Sequence, residues 1–305
     1  MYTRILVPLD GSGLAEQVLP HIRLLGKGFG CPVELVRVVE EVPSDAAYVV
    51  RGVPAEVLAR RVHAAAKRYL EGVAVPLRED GVTAGTMVRR GDPATHIVTE
   101  AGKEPGTVVA MTTHGRSGMT RWLLGSVTDK VLHATTSPLL VIRCVAEEAG
   151  TADVKLKAAI VALDGSALAE QALPHVVALS KAMALERVVL ARAAPSAGDY
   201  YQYSDYSVWP RADFSQQVDA EAASYLSRVG QGLRQQGVAS VEERLLHGSP
   251  GAAIVDLARE TQGSLVVMTT HGRSGLGRWL LGSVADRVVR HAGVPVLVVR
   301  ATEAS

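Results

Sequence analysis

Short apolar runs alternate with long amphipathic stretches along the whole chain. In the first half the runs are Ile5–Val7, Leu35–Val39, Thr86–Val88, Val108–Met111 and Leu139–Ile142. In the second they are Ala159–Leu163, Val188–Ala191, Val241–Leu246, Leu265–Met268 and Val296–Val299. The stretches Ala55–Glu71 and Ser215–Gln235 are rich in Ala, Arg, Glu, Gln and Leu and long enough to form helices. Strands alternating with helices predict a parallel sheet covered on both faces, and a strand buried on both faces reads as a continuous apolar run.

The pattern occurs twice. The segment HGRSGMTRWLLGSV from His114 to Val127 returns as HGRSGLGRWLLGSV from His271 to Val284. The opening ILVPLDGSGLAEQVLP from Ile5 returns as IVALDGSALAEQALP from Ile160, and the closing SPLLVIR at Arg143 returns as VPVLVVR at Arg300. Each copy is far longer than a solenoid unit, so this is a duplicated domain rather than a repeat array. The expected organisation is a first domain over 1–145, a linker over 146–156 and a second domain over 157–305. The linker carries the polar stretch Ala146–Thr151, which has no apolar period. Each domain is read as a doubly wound α/β unit with a five-stranded parallel sheet.

Helix starts are marked chemically. Asp92-Pro93 and Ser249-Pro250 place a capping side chain before a proline at the first helical position. Ser126-Val127-Thr128-Asp129 and Ser283-Val284-Ala285-Asp286 have capping-box spacing, with the serine expected as the cap.

Composition narrows the function classes. The 305 residues carry 32 basic and 31 acidic side chains, a balance that argues against nucleic acid or an anionic membrane as partner. No apolar run approaches the ~20 residues of a membrane span. The two cysteines, Cys31 and Cys144, lack zinc-ligand or CxxC spacing, and the N-terminus shows no signal-peptide pattern. A reducing, cytoplasmic location is expected.

Open α/β sheets bind ligands beyond the carboxyl ends of their strands, where strand order reverses. Here those ends are Asp10-Gly11-Ser12 after the first strand and Thr112-Thr113-His114-Gly115 after the fourth. Gly115 permits close backbone approach, and Gly125-Ser126 opens a helix whose free N–H groups favour phosphate. The alternative is that these glycines only permit turns; the same constellation in both copies favours a ligand site. No G-x-x-x-x-G-K-[ST], G-x-G-x-x-G or G-x-S-x-G sequence is present, which removes the main support for Walker, Rossmann and serine-hydrolase readings. Neither His114 nor His271 has a second histidine or a carboxylate at ligand spacing, so no metal site is expected and no catalytic residue is assigned.

An aspartate after strand one, then a glycine loop after strand four, then nine residues and Gly-Ser resembles the ATP-binding class of universal stress proteins over essentially the whole chain. The family's phosphate motif is G-x2-G-x9-G-[ST]. Gly115 and Gly272 match its second glycine, and Gly125-Ser126 and Gly282-Ser283 its close; Thr112 and Thr269 occupy the place of its first glycine. An extended backbone at these threonines accommodates the exchange, whereas a left-handed one does not. The resemblance implies the strand order 3-2-1-4-5 of an adenine-nucleotide α-hydrolase-like domain and ATP, with or without Mg²⁺, as ligand. It implies that Pro8, Leu9, Asp10 and Val38, with Ala162, Leu163, Asp164 and Ala193, hold adenine and ribose. It also implies that Gly115, Gly125, Ser126 and Thr128, with Gly272, Gly282 and Ser283, cradle the phosphates, with the backbone of His114 and His271 near them, and that Met111, Thr112, Val127, Met268, Thr269, Val284 and Ala285 belong to the same nucleotide sites. The Thr128 hydroxyl, with Ala285 as its counterpart, is expected to favour triphosphate binding in the first copy. Arg116, Arg121, Arg273 and Arg278 either reach a γ-phosphate or are simply solvated.

Three functions are compatible with this reading: a nucleotide-binding sensor or carrier, a slow ATPase or nucleotidyl-transfer enzyme, and an interaction module without nucleotide. The resemblance further implies that Leu139–Arg143 and Val296–Arg300 meet as an intramolecular pseudo-dimer; a further homodimer is left open and no protein partner is named. One segment breaks the symmetry: Tyr200, Tyr201, Tyr203, Tyr206, Trp209 and Phe214 lie after the second strand of copy two, and the counterpart in copy one has only Tyr48. They are read as local core or as a lid beside the second crevice.

Overall fold

The computed structural model describes residues 2–41, 54–114, 124–144, 154–194, 211–270 and 281–302, without the side chains of 211–215. The aromatic segment Tyr200–Phe214 and most of the expected linker therefore lie outside the described residues or side chains. The chain divides into two units, Met1–Val154 and Lys155–Ser305.

The first unit runs β1 (Arg4–Pro8), α1 (Gly13–Glu16), α2 (Leu19–Phe29), β2 (Val33–Val39), α3 (Ala55–Glu79), β3 (Ala84–Arg90), α4 (Pro93–Gly102), β4 (Thr107–Thr112), α5 (Ser126–Ala134) and β5 (Leu139–Ile142). The second runs β6 (Ala158–Leu163), α6 (Ala167–Glu170), α7 (Leu173–Met183), β7 (Arg187–Ala194), α8 (Arg211–Gln235), β8 (Val241–His247), α9 (Pro250–Glu260), β9 (Ser264–Thr269), α10 (Ser283–His291) and β10 (Val296–Val299). Within the units the strand orders are β3-β2-β1-β4-β5 and β8-β7-β6-β9-β10. Both are the expected 3-2-1-4-5, and the described pairings inside each unit are parallel.

The registers match between units. Ile5 lies opposite Val33 and Val108, as Ala159 lies opposite Val188 and Leu265. Strands β4, β6 and β9 are buried along their whole length, which accounts for their uninterrupted apolar sequence. In the first unit α3 lies beside α1, joined by the Tyr69 hydroxyl donating to Glu16 Oε1 at 2.8 Å, and α4 packs against α5. Because β1 is flanked by β2 on one side and β4 on the other, strand order reverses between β1 and β4, and a crevice opens there.

Helix α3 exceeds its expected end at Glu71 and continues through Pro76 to Glu79. A proline inside a helix removes one N–H and crowds the carbonyl four residues earlier, here that of Gly72. Both Pro76 and Gly72 are exposed, and the buried stripe Ala66, Leu70, Ala74 and Leu77 holds the last turn onto the core. Packing of that stripe outweighs the local penalty.

Candidate functional site

The crevice is built from two turns and a helix end. After β1, Asp10 Oδ1 accepts from the backbone N–H of Ser12 at 2.9 Å and from its hydroxyl at 2.6 Å; Ser12 Oγ in turn accepts from Ala15 N at 3.2 Å. Asp164, Ser166 and Ala169 repeat this at 2.9, 2.6 and 3.1 Å. The helix cap is therefore the serine, and the aspartate braces the cap. The turn needs left-handed glycines, and Gly11 and Gly165 have φ of +83° and +88°.

After β4, Thr113 N donates to Ile142 O at 2.8 Å and Gly125 N returns to Thr113 O at 2.7 Å, closing the loop base. Thr270, Val299 and Gly282 repeat this with bonds of 2.9 and 2.8 Å. The hydroxyls of Thr113 and Thr270 accept from Cys144 N at 3.2 Å and Ala301 N at 3.3 Å, tying the same loop base to the chain beyond β5 and β10. Thr112 ends β4 and donates its hydroxyl to His114 O at 2.8 Å; Thr269 likewise ends β9. Both threonines stand in strands, so the backbone at the position of the motif's first glycine is extended and a β-branched residue is unstrained there.

Two expectations are corrected. Ser126 and Ser283 are not caps: Gly125 and Gly282 occupy the cap positions in extended conformation, and each serine is the first residue of its helix. The Thr128 hydroxyl is buried and donates to Thr112 O at 2.8 Å, instead of facing phosphates, because the third residue of α5 turns toward the sheet. The first turns of α5 and α10 still leave backbone N–H groups without helical partners, as every α-helix does. Gly125 is also a close-packed point, since a Cβ added to it would lie 3.0 Å from Thr113 O.

In the second unit these elements enclose a cleft of about 280 Å³. Ala162, Leu163, Asp164, Ala193, Met268, Thr269, Gly282, Ser283, Val284 and Ala285 all line it. These ten are every expected site residue of the second copy that is described. His271 and Gly272, with Gly115 and the four loop arginines, lie outside the described residues. In the first unit Pro8, Leu9 and Asp10 end β1, Val38 lies next to the end of β2, Met111 and Thr112 end β4 and lead to His114, and Gly125, Ser126, Val127 and Thr128 open α5. These positions correspond to those lining the second cleft. Pro250 and Ile254 of α9, Ala169 and Thr270 also line the cleft and were not singled out from the sequence. The Ser249-Pro250 start signal was the available clue to α9, since it sets the first turn of that helix beside the strand ends.

A profile of the universal stress protein family matches residues 1–143 and again 155–300. The chain belongs to the universal stress protein family. A universal stress protein of Methanocaldococcus jannaschii is 32% identical over 147 residues, which is 47% of this chain and 83% of the relative. A Staphylococcus aureus relative is 32% identical over 151 residues, or 49% of this chain and 87% of its own. The crystal structure of a universal stress protein from Archaeoglobus fulgidus superposes with a TM-score of 0.71 at 20% identity, covering 98% of this chain and 99% of that one. It supports the fold over both units.

Among the described residues no group of three His, Cys, Asp or Glu side chains is placed to hold a metal ion, and no helix is long and apolar enough to cross a membrane. Cys31 and Cys144 are free thiols.

Proposed function

We propose that this universal stress protein binds adenine nucleotide, ATP in the first instance, in a crevice of each unit and acts as a cytoplasmic stress-response sensor or carrier. The observation that carries this reading is the cleft of the second unit, where the residues singled out by the repeat and the family motif converge. At about 280 Å³ it sits near the roughly 300 Å³ lower end of small-molecule sites. Asp164, available for ribose or adenine, and the N-terminus of the nine-residue helix α10, available for phosphates, both line it. Extended Thr112 and Thr269 do not distort the loop base. Bound ATP would supply a transferable phosphoryl group; Asp10 and Asp164 would orient the nucleoside, and the helix ends would hold the phosphate charge.

Isothermal titration of the full chain with ATP and Mg²⁺ tests the reading, with Asp10→Ala and Asp164→Ala separating the two crevices. Saturable heat that is halved in stoichiometry by either substitution is expected. Absence of heat favours an interaction module without nucleotide, and ADP accumulating over hours would place the protein among slow ATPases. For assembly, the pseudo-dimer of Leu139–Arg143 with Val296–Arg300 stands as a proposal resting on the sequence, since a parallel sheet leaves an unpaired strand edge that must be covered. Reduced compactness in small-angle scattering on Val141→Pro would support it.

A further inference from the structure

Behind the Asp-Gly-Ser turn of the first unit, on the side away from the crevice, lies a group of polar residues whose arginine, tyrosine and glutamate recur in the second unit. In the first unit it comprises Arg37, Tyr69 and Glu16. Arg37 Cζ lies 5.0 Å from the centre of the Tyr69 ring, and the Tyr69 hydroxyl donates to Glu16 Oε1 at 2.8 Å. A Cβ added to Gly11 would fall 2.8 Å from Arg37 Nη1 and 3.1 Å from Cζ, so the guanidinium sits directly against the turn. In the second unit Arg192 Cζ lies 5.0 Å from the Tyr225 ring, Arg228 lies 5.2 Å from the same ring, and Arg228 pairs with Glu170 at 3.4 Å. Arg192 is buried, with 8% of its surface exposed.

Strand geometry separates this group from the ligand side. Side chains alternate along a strand, so Arg37 and Val38 of β2 face opposite ways, as do Arg192 and Ala193 of β7. Ala193 lines the cleft, and Arg192 turns to the helix that carries Tyr225. The carboxylates are nevertheless near. Burial raises the pKa of Tyr69, and the Glu16 bond and the charges of Glu16 and Asp10 raise it further against the opposing Arg37. For Tyr225 burial again leads, followed by Glu170 and Asp164, against Arg228.

We propose that Arg37 is a positioning residue: its guanidinium, held over the Tyr69 ring, braces the Asp-Gly-Ser turn from behind and fixes the direction in which Asp10 presents its carboxylate to the nucleoside. The proposal rests on the nucleotide-binding reading and adds to it a residue that sets ribose recognition from outside the crevice. A planar guanidinium can lie against the ring and the turn at once, whereas an ammonium is a point charge that can do only one of these. Gly11 is required by its left-handed φ of +83°, and the absence of a side chain there lets the guanidinium close on the turn.

The test uses the full chain carrying Asp164→Ala, so that only the first crevice reports, with Arg37→Gln, Arg37→Lys and Asp10→Asn added singly and in combination. Arg37→Gln is expected to weaken ATP about tenfold, the scale of one well-placed hydrogen bond to a charged group, and to leave 2′,3′-dideoxy-ATP unchanged. Adding Asp10→Asn is expected to cause no further loss, and Arg37→Lys to restore only part of the affinity. Equal losses for the two nucleotides, additive losses with Asp10→Asn, or full recovery with lysine would each overturn the proposal. Hydrogen exchange of the Ser12 amide, which donates to Asp10, is read in the same variants without nucleotide. It is expected to quicken about tenfold in Arg37→Gln while the β1 and β4 amides stay protected. An unchanged Ser12 amide, or loss of protection throughout the sheet, overturns the brace. If the parent chain takes up no ATP the nucleotide reading fails, and Ser12 exchange alone then decides whether Arg37 holds the turn.

Discussion

The hydroxyl of Thr128 donates to the carbonyl oxygen of Thr112 at 2.8 Å, and the chain places Ala285 where the second unit would need the same donor. Thr128 is 4% exposed, so this bond ties α5 to the end of β4 from inside the protein. Thr128→Ala leaves a buried carbonyl short of its partner, a loss of about 1–3 kcal/mol. Chemical denaturation is expected to show that loss in the first unit. ATP affinity at the first crevice is expected to fall by roughly 2- to 10-fold, because a looser loop base must be ordered on binding. Unchanged affinity in an Asp164→Ala background would show that the tie serves the fold alone.

Gly125 offers a sharper separation of fold from site. Its φ of −60° and ψ of 145° suit any residue, so alanine is acceptable to the local backbone. The added methyl would nevertheless lie 3.0 Å from Thr113 O and force loop and helix apart by a few tenths of an ångström. Gly125→Ala is expected to cost about 1 kcal/mol, at the mild end of overpacking, while abolishing measurable ATP heat at the first crevice. Gly30→Ala serves as a control: it strains a left-handed glycine with φ of +63° and open space around it, and should lower stability without affecting nucleotide.

The two units solve one core position in opposite ways. Arg4 donates to Glu34 at 3.0 Å, to the Glu100 carbonyl at 2.7 Å and to the Thr107 hydroxyl at 3.2 Å, and Glu100 also holds Lys103 at 2.7 Å. Burial pushes the Glu100 carboxyl upward, and Lys103, Arg89 and Arg4 together outweigh it and hold its pKa low. Strand register and helix starts place Ala158, Val189 and Leu257 at the positions of Arg4, Glu34 and Glu100, and all three are buried. Removing one partner strands the others, so Arg4→Ala alone is expected to cost about 3–5 kcal/mol. The combined Arg4→Ala, Glu34→Val and Glu100→Leu variant is expected to recover most of that loss, since an apolar replacement of the whole network is often neutral or better. Denaturation midpoints of the two variants decide it: a combined variant weaker than Arg4→Ala would refute the exchange.

What could be read in the sequence followed from periodicity and repetition. Continuous runs such as Val108–Met111 fixed parallel strands, and the duplicated Asp-Gly-Ser and Gly-Ser segments located the residues that line the second cleft. Features decided by long-range packing were not legible. The capping-box spacing pointed to Ser126, yet the Gly125 N–H is drawn to Thr113 O and moves the cap one residue earlier. The expected helix Ala55–Glu71 ends eight residues short of the observed α3, because the stripe ending at Leu77 is fixed by a core that no local pattern reveals. Arg4 stood beside an apolar run with no sign that its partners, Glu34 and Glu100, lay 30 and 96 positions away.

Two histidines make stability depend on pH in a defined window. His21 and His175 occupy equivalent places in α2 and α7, and burial lowers each to a pKa of about 4 from 6.5, with the Gln17 carbonyl partly opposing the shift at His21. A depressed histidine is neutral in the folded protein while its unfolded counterpart takes up a proton below about pH 6.5. Stability is therefore full above pH 6.5, falls as the pH drops toward 4 and levels off below it. At pH 5 each histidine is expected to cost about 1–2 kcal/mol, after discounting the shift for partial exposure to solvent. Carboxylates with lowered pKa, such as Glu100 and Asp92, lose their contribution only at lower pH, so the interval from pH 7 to 5 isolates the histidines. Urea titrations at those two values are expected to show wild type losing stability, with His21→Gln and His175→Gln each removing its own share of the loss and the double variant most of it. A wild-type stability that stays flat between pH 7 and 5, or that falls equally in the double variant, would show that the imidazoles reach solvent in the folded state.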